Sequence, residues 1–353
     1  MTFNRINKSK GFTLVEILIA LILGLVLTAS AINIFINNKS TYNLENELSR
    51  LQESGRFAID SMVEDIRMVD YNGCSSRTRL SATNYARAPA PILPFDTDNT
   101  IRGFNANATN WTPTIESGLN LSGVINGTDV LNIQRASCGA QLNGNFAANA
   151  AIGVNDSCTF VPDDVVLITD CSRADIFEID SVTNGTGSQT LGHSVTRNTS
   201  ASLTGAYDER ATVYRLRSVA YFIANNNNGE PSLYRSSWTP DGNNILEASP
   251  PLPAAQKDFS VSELASGIED MQILYGEDDV ATSDDYADNY KTAANVTNWA
   301  DVRSVRISLL LRSRDNITQQ QNTVLFNGVN VGGTDNRLRL VFTSTASLRN
   351  RLP

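Results

Sequence analysis

One carboxylate stands where a carboxylate is expensive. From Phe12 to Asn38 the only charged side chain is Glu16, and the next charge along the chain is Lys39. At ~1.5 Å per residue that stretch is about 40 Å long as a helix, enough to cross a bilayer. A charge at the centre of a membrane helix costs roughly 2.5–3.5 kcal/mol on insertion scales. A cleaved secretory signal or a plain anchor has no use for that cost. A helix that meets a cation from a neighbouring chain inside an apolar bundle does.

The remaining candidates for chemistry are sparse. Cys74, Cys138, Cys158 and Cys171 form no CxxC pair, and His193 is the only histidine, so a zinc site with four close-spaced ligands is not expected. An even number of cysteines after an export segment points to two disulfides, with free buried cysteine as the alternative. Three pairings are open. Cys138 and Cys158 bound a Gly/Asn/Ala-rich excursion, which favours joining them and leaves Cys74 to Cys171. His193 lies in a Gly/Ser/Thr-rich stretch with no evident triad partner and is expected to be an exposed loop histidine. Gly185-Thr186-Gly187 lacks the ending of a phosphate loop and reads as a turn. Asp278, Asp279, Asp284, Asp285 and Asp288 could hold calcium, but the spacing is not that of an EF-hand, and a solvated acidic loop is the preferred reading. No enzyme, no cofactor and no metal is expected.

The elements that carry these residues are of two kinds. Leu44, Leu48, Leu51, Ala58, Ile59, Met62, Ile66 and Val69 recur at steps of three and four, with charged residues between them, Asp65 included. That is the period of an amphipathic helix. No proline precedes Pro89, so one helix from Phe12 to Val69, ~87 Å long, is expected. Gly24 and Gly55 are its weak points, and Tyr71-Asn72-Gly73 supplies its stop. Its first half is apolar all round and its second half has a single apolar stripe, as in a stalk seated on a domain.

Past Cys74 short strands take over. Val305, Ile307, Leu309 and Leu311 alternate with Ser304, Arg306, Ser308 and Leu310. Leu338, Leu340 and Phe342 alternate with Arg337, Arg339 and Val341. Both read as half-buried strands with basic outer faces. Val213–Ile223 and Ser232–Arg235 flank the turn Asn225–Gly229, and Thr323–Phe326 and Met271–Tyr275 are further strands. Asp129–Gln134 and Asp164–Thr169 look like central strands, each followed by a cysteine. Residues 78–128 and 183–208 read as long surface loops. The fold class is α+β, a long N-terminal helix packed on an antiparallel sheet with elaborated loops.

Formal net charge is −9. Without Arg5, Lys8 and Lys10 of the first eleven residues the balance is 25 − 37 = −12. Residues 301–353 hold eight arginines against three aspartates, +5, so residues 12–300 stand at −17. Such a surface opposes broad nucleic-acid affinity, though the basic strands could dock an acidic partner.

Three readings compete for the N-terminus: a secretory signal cut after Ala29-Ser30-Ala31, an uncut anchor, or a precursor cut on the cytoplasmic side. The string Lys10-Gly11-Phe12-Thr13-Leu14-Val15-Glu16 resembles, residue for residue, the recognition site of prepilin peptidase. Leu51-Gln52-Glu53-Ser54-Gly55-Arg56, Asp65-Ile66-Arg67, Tyr71-Asn72-Gly73-Cys74, Gly267–Gln272 with Tyr275-Gly276, Val305–Arg312 and Leu348–Pro353 are similar to PilW-type minor pilins of type IV pili. The resemblance implies cleavage between Gly11 and Phe12, N-methylation of Phe12, and pairing of the new amine with a neighbour's Glu16. It divides the chain into a leader (1–11), a membrane and filament-core half-helix (12–39), an amphipathic half-helix (40–72) and a periplasmic β-rich domain (73–353). Implied partners are prepilin peptidase, the inner-membrane assembly platform, other minor pilins, the major pilin and a PilY-type tip protein. The implied location is the inner membrane, with the domain in the periplasm, and then a type IV pilus (fimbrium) at the cell surface. The absence of proline in the membrane half and the large size favour a low-copy tip or priming subunit. A J-type pseudopilin of a type II secretion or competence pseudopilus is the alternative, as is an exported DNA-uptake protein.

Overall fold

The computed structural model describes residues 13–71, 73–74, 82–86, 100–115, 119, 121–238, 259–278 and 286–351. It begins with one unbroken helix, α1, from Leu14 to Arg67. Thr13 caps its N-terminus, the hydroxyl oxygen accepting from the Glu16 amide at 3.3 Å. From Leu14 to Lys39 every residue is exposed, whereas Leu51, Gly55, Ala58, Ile59, Met62, Val63, Asp65 and Ile66 are buried. One helix therefore has two surfaces: apolar and bare in its first half, amphipathic in its second.

The strands, in chain order, are β1 (Ala82–Asn84), β2 (Ile101–Ala106), β3 (Trp111–Thr112), β4 (Val130–Gln141), β5 (Ile152–Asn155) and β6 (Val165–Thr169). Then come β7 (Ala174–Glu178), β8 (Ser181–Gly185), β9 (Ser188–Gly192), β10 (Thr212–Asn225), β11 (Pro231–Trp238) and β12 (Phe259–Ser266). The last six are β13 (Ile268–Glu277), β14 (Asn289–Lys291), β15 (Val302–Asn316), β16 (Thr323–Phe326), β17 (Val329–Gly332) and β18 (Arg337–Ser347).

The largest sheet runs β1-β7-β6-β10-β4-β2-β3, with β11 and β12 added along the second half of β10; a smaller sheet runs β14-β13-β15-β18. Both are antiparallel apart from the β1–β7 pair. A hairpin, β16–β17, and a three-stranded sheet, β5-β9-β8, complete the fold. The α1 stripe lies across β18, β15 and β12. Leu51, Met62 and Ile66 share one core with Ile133, Tyr221 and Leu233 of the large sheet and with Val305, Ile307, Leu309 and Leu311 of the small one.

The architecture is the α+β class expected, and several details differ. The helix ends two residues before Val69. Met68 and Val69 close it with short-range bonds to the Asp65 and Ile66 carbonyls, and Asp70 turns the chain with φ 61°. Asn350 then donates to the Val69 and Arg67 carbonyls (2.7 and 3.3 Å), satisfying groups a helix end leaves open. The strand carrying Cys138 does not stop at Gln134 but continues to Gln141. Residues 78–128 and 183–208 are not simply surface loops: within them lie β1, β2, β3, most of β8 and all of β9. Ile101, Phe104, Leu203 and Tyr207 there are buried. His193 is buried, not exposed. Its Nε2 donates to the Ala150 carbonyl at 3.0 Å and its ring lies 5.2 Å from that of Phe177. Burial lowers its pKa, because the charged imidazolium loses its water.

The expected basic outer faces are also absent as free charge, because the arginines turn back onto the fold. Arg303 pairs with Asp278 (3.0 Å), Arg312 with Glu269 (3.1 Å), Arg314 with Glu230 (3.3 Å) and Arg337 with Asp335 (3.6 Å). Arg339, itself buried, reaches Glu269 and Asp335 at 2.8 and 2.6 Å. Arg351 pairs with Asp70, and Arg306 stacks 3.8 Å over the Tyr290 ring. Of the eight arginines this leaves Arg349 exposed without a described partner. An acidic docking partner is therefore not required to explain the charge asymmetry.

Gly55 is a close-approach position, not a weak point. A Cβ there would sit 2.6 Å from the Phe342 ring of β18. Alanine gains about 1 kcal/mol of helix propensity, but overpacking a filled contact costs about 1–3 kcal/mol. Gly55→Ala is expected to lower the thermal midpoint of the detergent-solubilised protein, and Phe342→Leu in the same chain to restore it. A midpoint raised by Gly55→Ala alone would contradict the tight seat.

Candidate functional site: the N-terminal helix and its seat

The membrane-length half of α1 carries one charge, on its first turn. A strip along one side of the helix is lined by Glu16, Ile17, Ala20, Leu21, Gly24, Leu25 and Thr28. Glu16, Ala20, Gly24 and Thr28 are four residues apart, so they stack on one face. Small residues at that spacing let a second helix approach closely, and the carboxylate stands at the head of the same face. Three hydroxyls further along are internally satisfied: Thr28 donates to the Gly24 carbonyl (2.8 Å), Ser30 to Val26 (2.9 Å) and Thr41 to Asn37 (3.0 Å). Polar side chains are otherwise confined to the far end of this half, at Asn33, Asn37 and Asn38. It is long and apolar enough to span one.

The second half is the seat. Asp65, a polar-side residue by sequence pattern, is buried and faces the large sheet. Its Oδ2 accepts from the Tyr221 hydroxyl of β10 (2.6 Å) and from Arg235 of β11 (3.0 Å), and its Oδ1 from Arg135 of β4 (3.0 Å). Burial, and then the Asp65 charge, push the Tyr221 hydroxyl well above the usual phenol range. Asp65 also outweighs burial at Arg235, holding its guanidinium even more firmly charged. One carboxylate thus ties the helix to three strands. At the helix exit, Arg351 grips Asp70 and donates to the Val302 carbonyl (3.1 Å) and the Thr100 hydroxyl (3.0 Å). Beyond it, a disulfide joins Cys74 to Cys171 at the end of β6, with Cα atoms 5.5 Å apart. A second joins Cys138 to Cys158, Cα atoms 5.6 Å apart.

The two sheets have a buried carboxylate joint of their own. Asp129 accepts from the Ala106 and Ile273 amides, both at 2.8 Å, and from Asn105 at 3.2 Å. Burial raises its pKa despite those donors. Nothing in its sequence surroundings marks it as a cross-link, since the partner amide of Ile273 is 144 residues away.

Gly11, Phe12, Asp279, Asp284 and Asp285 lie outside the described residues. Asp278 pairs with Arg303, and Asp288 donates its amide to the Glu277 carbonyl at 3.1 Å. The adjacent Glu277 is held by Lys291 at 2.6 Å and by the Thr297 and Asn298 amides at 3.2 and 2.6 Å. Among the described residues no three His, Cys, Asp or Glu side chains converge as a metal site would require. Gly185-Thr186-Gly187 falls at the tight turn of the β8–β9 hairpin.

Residues 220–350 match the family described as Type IV Pilus-assembly protein W. Residues 6–32 match the prokaryotic N-terminal methylation motif. No curated protein and no solved structure matches the chain. The two family matches, with one long apolar helix leading into an antiparallel domain, support a type IV pilus-related pilin of the PilW type, anchored in a membrane by α1.

Proposed function

We propose that the chain is a minor pilin, made as a precursor in the inner membrane and delivered to a type IV pilus at or near its tip. Residues 1–11 are the leader, cut after Gly11, and the new N-terminus, Phe12, is methylated. Residues 12–39 leave the bilayer for the filament core, residues 40–72 hold the domain, and residues 73–353 remain periplasmic until assembly. Glu16 receives the Phe12 amine of the adjacent subunit. The observation that carries this reading is the lone Glu16 at the head of the Ala20, Gly24 and Thr28 face, on a helix half that nothing among the described residues covers. In hydrocarbon such a carboxylate needs a partner, and a neighbouring N-terminus is a cation of the right depth.

The partners proposed are prepilin peptidase, the assembly platform, the major pilin, other minor pilins and a PilY-type tip protein. The role is structural rather than catalytic. A J-type pseudopilin of a secretion or competence system shares the same helix and is separated from a pilus subunit by which filament the chain enters.

The processing step is tested by Gly11→Val. A peptidase that accepts only a residue without a side chain before the cut leaves this variant as full-length precursor in the inner membrane. Sequencing of the mature wild-type chain should begin at Phe12; a start at Ile32 would instead identify an ordinary secretory signal.

A further inference from the structure

β4 and β10 are antiparallel neighbours, and the last residue of β4, Gln141, is paired directly with the first residue of β10, Thr212. Residues 142–211 therefore occupy the place of a hairpin turn. Two of their strands, β6 and β7, extend the large sheet from β10, and Val165, Leu167, Ala174 and Ile176 pack there with Ala136 and Leu216; their other buried apolar side chains build a core of their own. Leu142, Ile152, Val154, Phe160, Phe177 and Leu191 belong to one core, and every fully buried member of that core falls between Ala140 and Val213. The segment has its own sheet, β5-β9-β8, and its own cross-link from Cys158 back to Cys138 at its root.

Three further observations separate this segment from the part that builds filaments. The α1 contacts fall chiefly on β18, β15, β12 and β4, all outside it, and its covalent tie to the helix exit is the disulfide Cys74–Cys171. The matched pilin family begins at residue 220, after it. Beyond the membrane half of α1, the large apolar side chains left exposed among the described residues are Tyr42, Phe57, Val195, Tyr286, Leu325, Val329 and Val341, and of these only Val195 lies within it. Exposed apolar side chains are where packing against a neighbour would be sought. The outward residues of β8 and β9 are instead Ser181, Thr183, Gly185, Ser188 and Thr190, small and uncharged.

We propose that residues 142–211 are an accessory module, built onto the β10 edge of the large sheet, that takes no part in building the filament. The rest of the chain, with Gln141 joined to Thr212 by a short turn, is the complete assembling unit. This rests on the reading of the chain as a filament subunit.

The test replaces residues 142–211 by Asn-Gly, the dipeptide suited to a two-residue hairpin turn, with Cys74→Ser and Cys138→Ser to remove the orphaned thiols. The variant is expected in sheared filaments at the wild-type level, with no loss of filament number. A variant that resists proteolysis in the membrane yet is absent from filaments would overturn the proposal. A second variant guards against simple misfolding. Leu191→Asp in the full chain places a charge in the module core, and amide exchange should lose protection between residues 142 and 211 while α1 from Leu51 to Ile66 and strands β13, β15 and β18 keep theirs. Loss of protection throughout would equally overturn it. If the wild-type chain itself is missing from filaments, the filament reading fails, and the exchange pattern still decides whether the module is separate.

Discussion

Glu16→Leu is expected to enter the membrane at least as readily as the wild type and to be lost from filaments. Insertion improves because the helix sheds its one charge. Assembly fails because the Phe12 amine of the adjacent subunit then enters an apolar bundle without a counter-charge. Removing one partner of a buried ion pair costs about 3–5 kcal/mol, which at about 1.4 kcal/mol per tenfold is a loss of roughly a hundred- to several-thousand-fold in incorporation. Immunoblots of the membrane and sheared-filament fractions read both halves of the expectation. Glu16→Asp keeps the charge and should retain part of the incorporation, whereas Glu16→Gln should not. Full incorporation of Glu16→Leu would remove the pairing from the assembly mechanism and leave the carboxylate without a role.

The second large effect belongs to the seat. Asp65→Ala leaves Arg135 and Arg235 pointed at an empty site and the Tyr221 hydroxyl without its acceptor. The expected cost is about 3–5 kcal/mol, a large share of the stability of an ordinary domain. Solubilised full-length protein should show it as a fall in the denaturation midpoint. The cost is not the net worth of the cluster. Replacing Asp65, Arg135 and Arg235 together by apolar residues of similar size should recover much of it, because the uncompensated charges go as well. A single Asp65→Ala variant with wild-type stability would show that the apolar stripe alone holds the helix.

The parts legible in the sequence are those governed by period. The helix follows from apolar residues at steps of three and four, and β15 from alternation between Val305 and Leu311 that only Leu310 breaks. The apolar run and Glu16, on which the proposed assembly face rests, are visible without any tertiary knowledge. Residues 183–208 resisted because much of their burial is polar: beside the apolar Leu191, Leu203 and Tyr207, the buried Gln189, His193 and Asn198 make hydrogen bonds. A stretch rich in Ser, Thr, Asn and Gly looks the same whether it is solvated or internally bonded. Asp65 was hidden for a different reason. Its partners Tyr221 and Arg235 lie 156 and 170 residues further on, beyond the reach of any local pattern. Most of the arginines of residues 301–353 misled in the same way, since apart from Asp335 their acids, Asp70, Glu230, Glu269 and Asp278, lie far off in the sequence.

The single core shared by α1 and both sheets bears on how a subunit carries load. In the proposed filament, tension enters each subunit through the membrane half of its helix. It leaves that helix through Leu51, Ala58, Met62 and Ile66, which share one core with the small and large sheets, and through Asp65, which grips three strands of the large one. The two sheets are thus loaded in parallel, and the helix cannot be drawn out without opening the core of both. Under force such a subunit acts as one strut from its membrane end to the seat, not as a bead swinging on a thread.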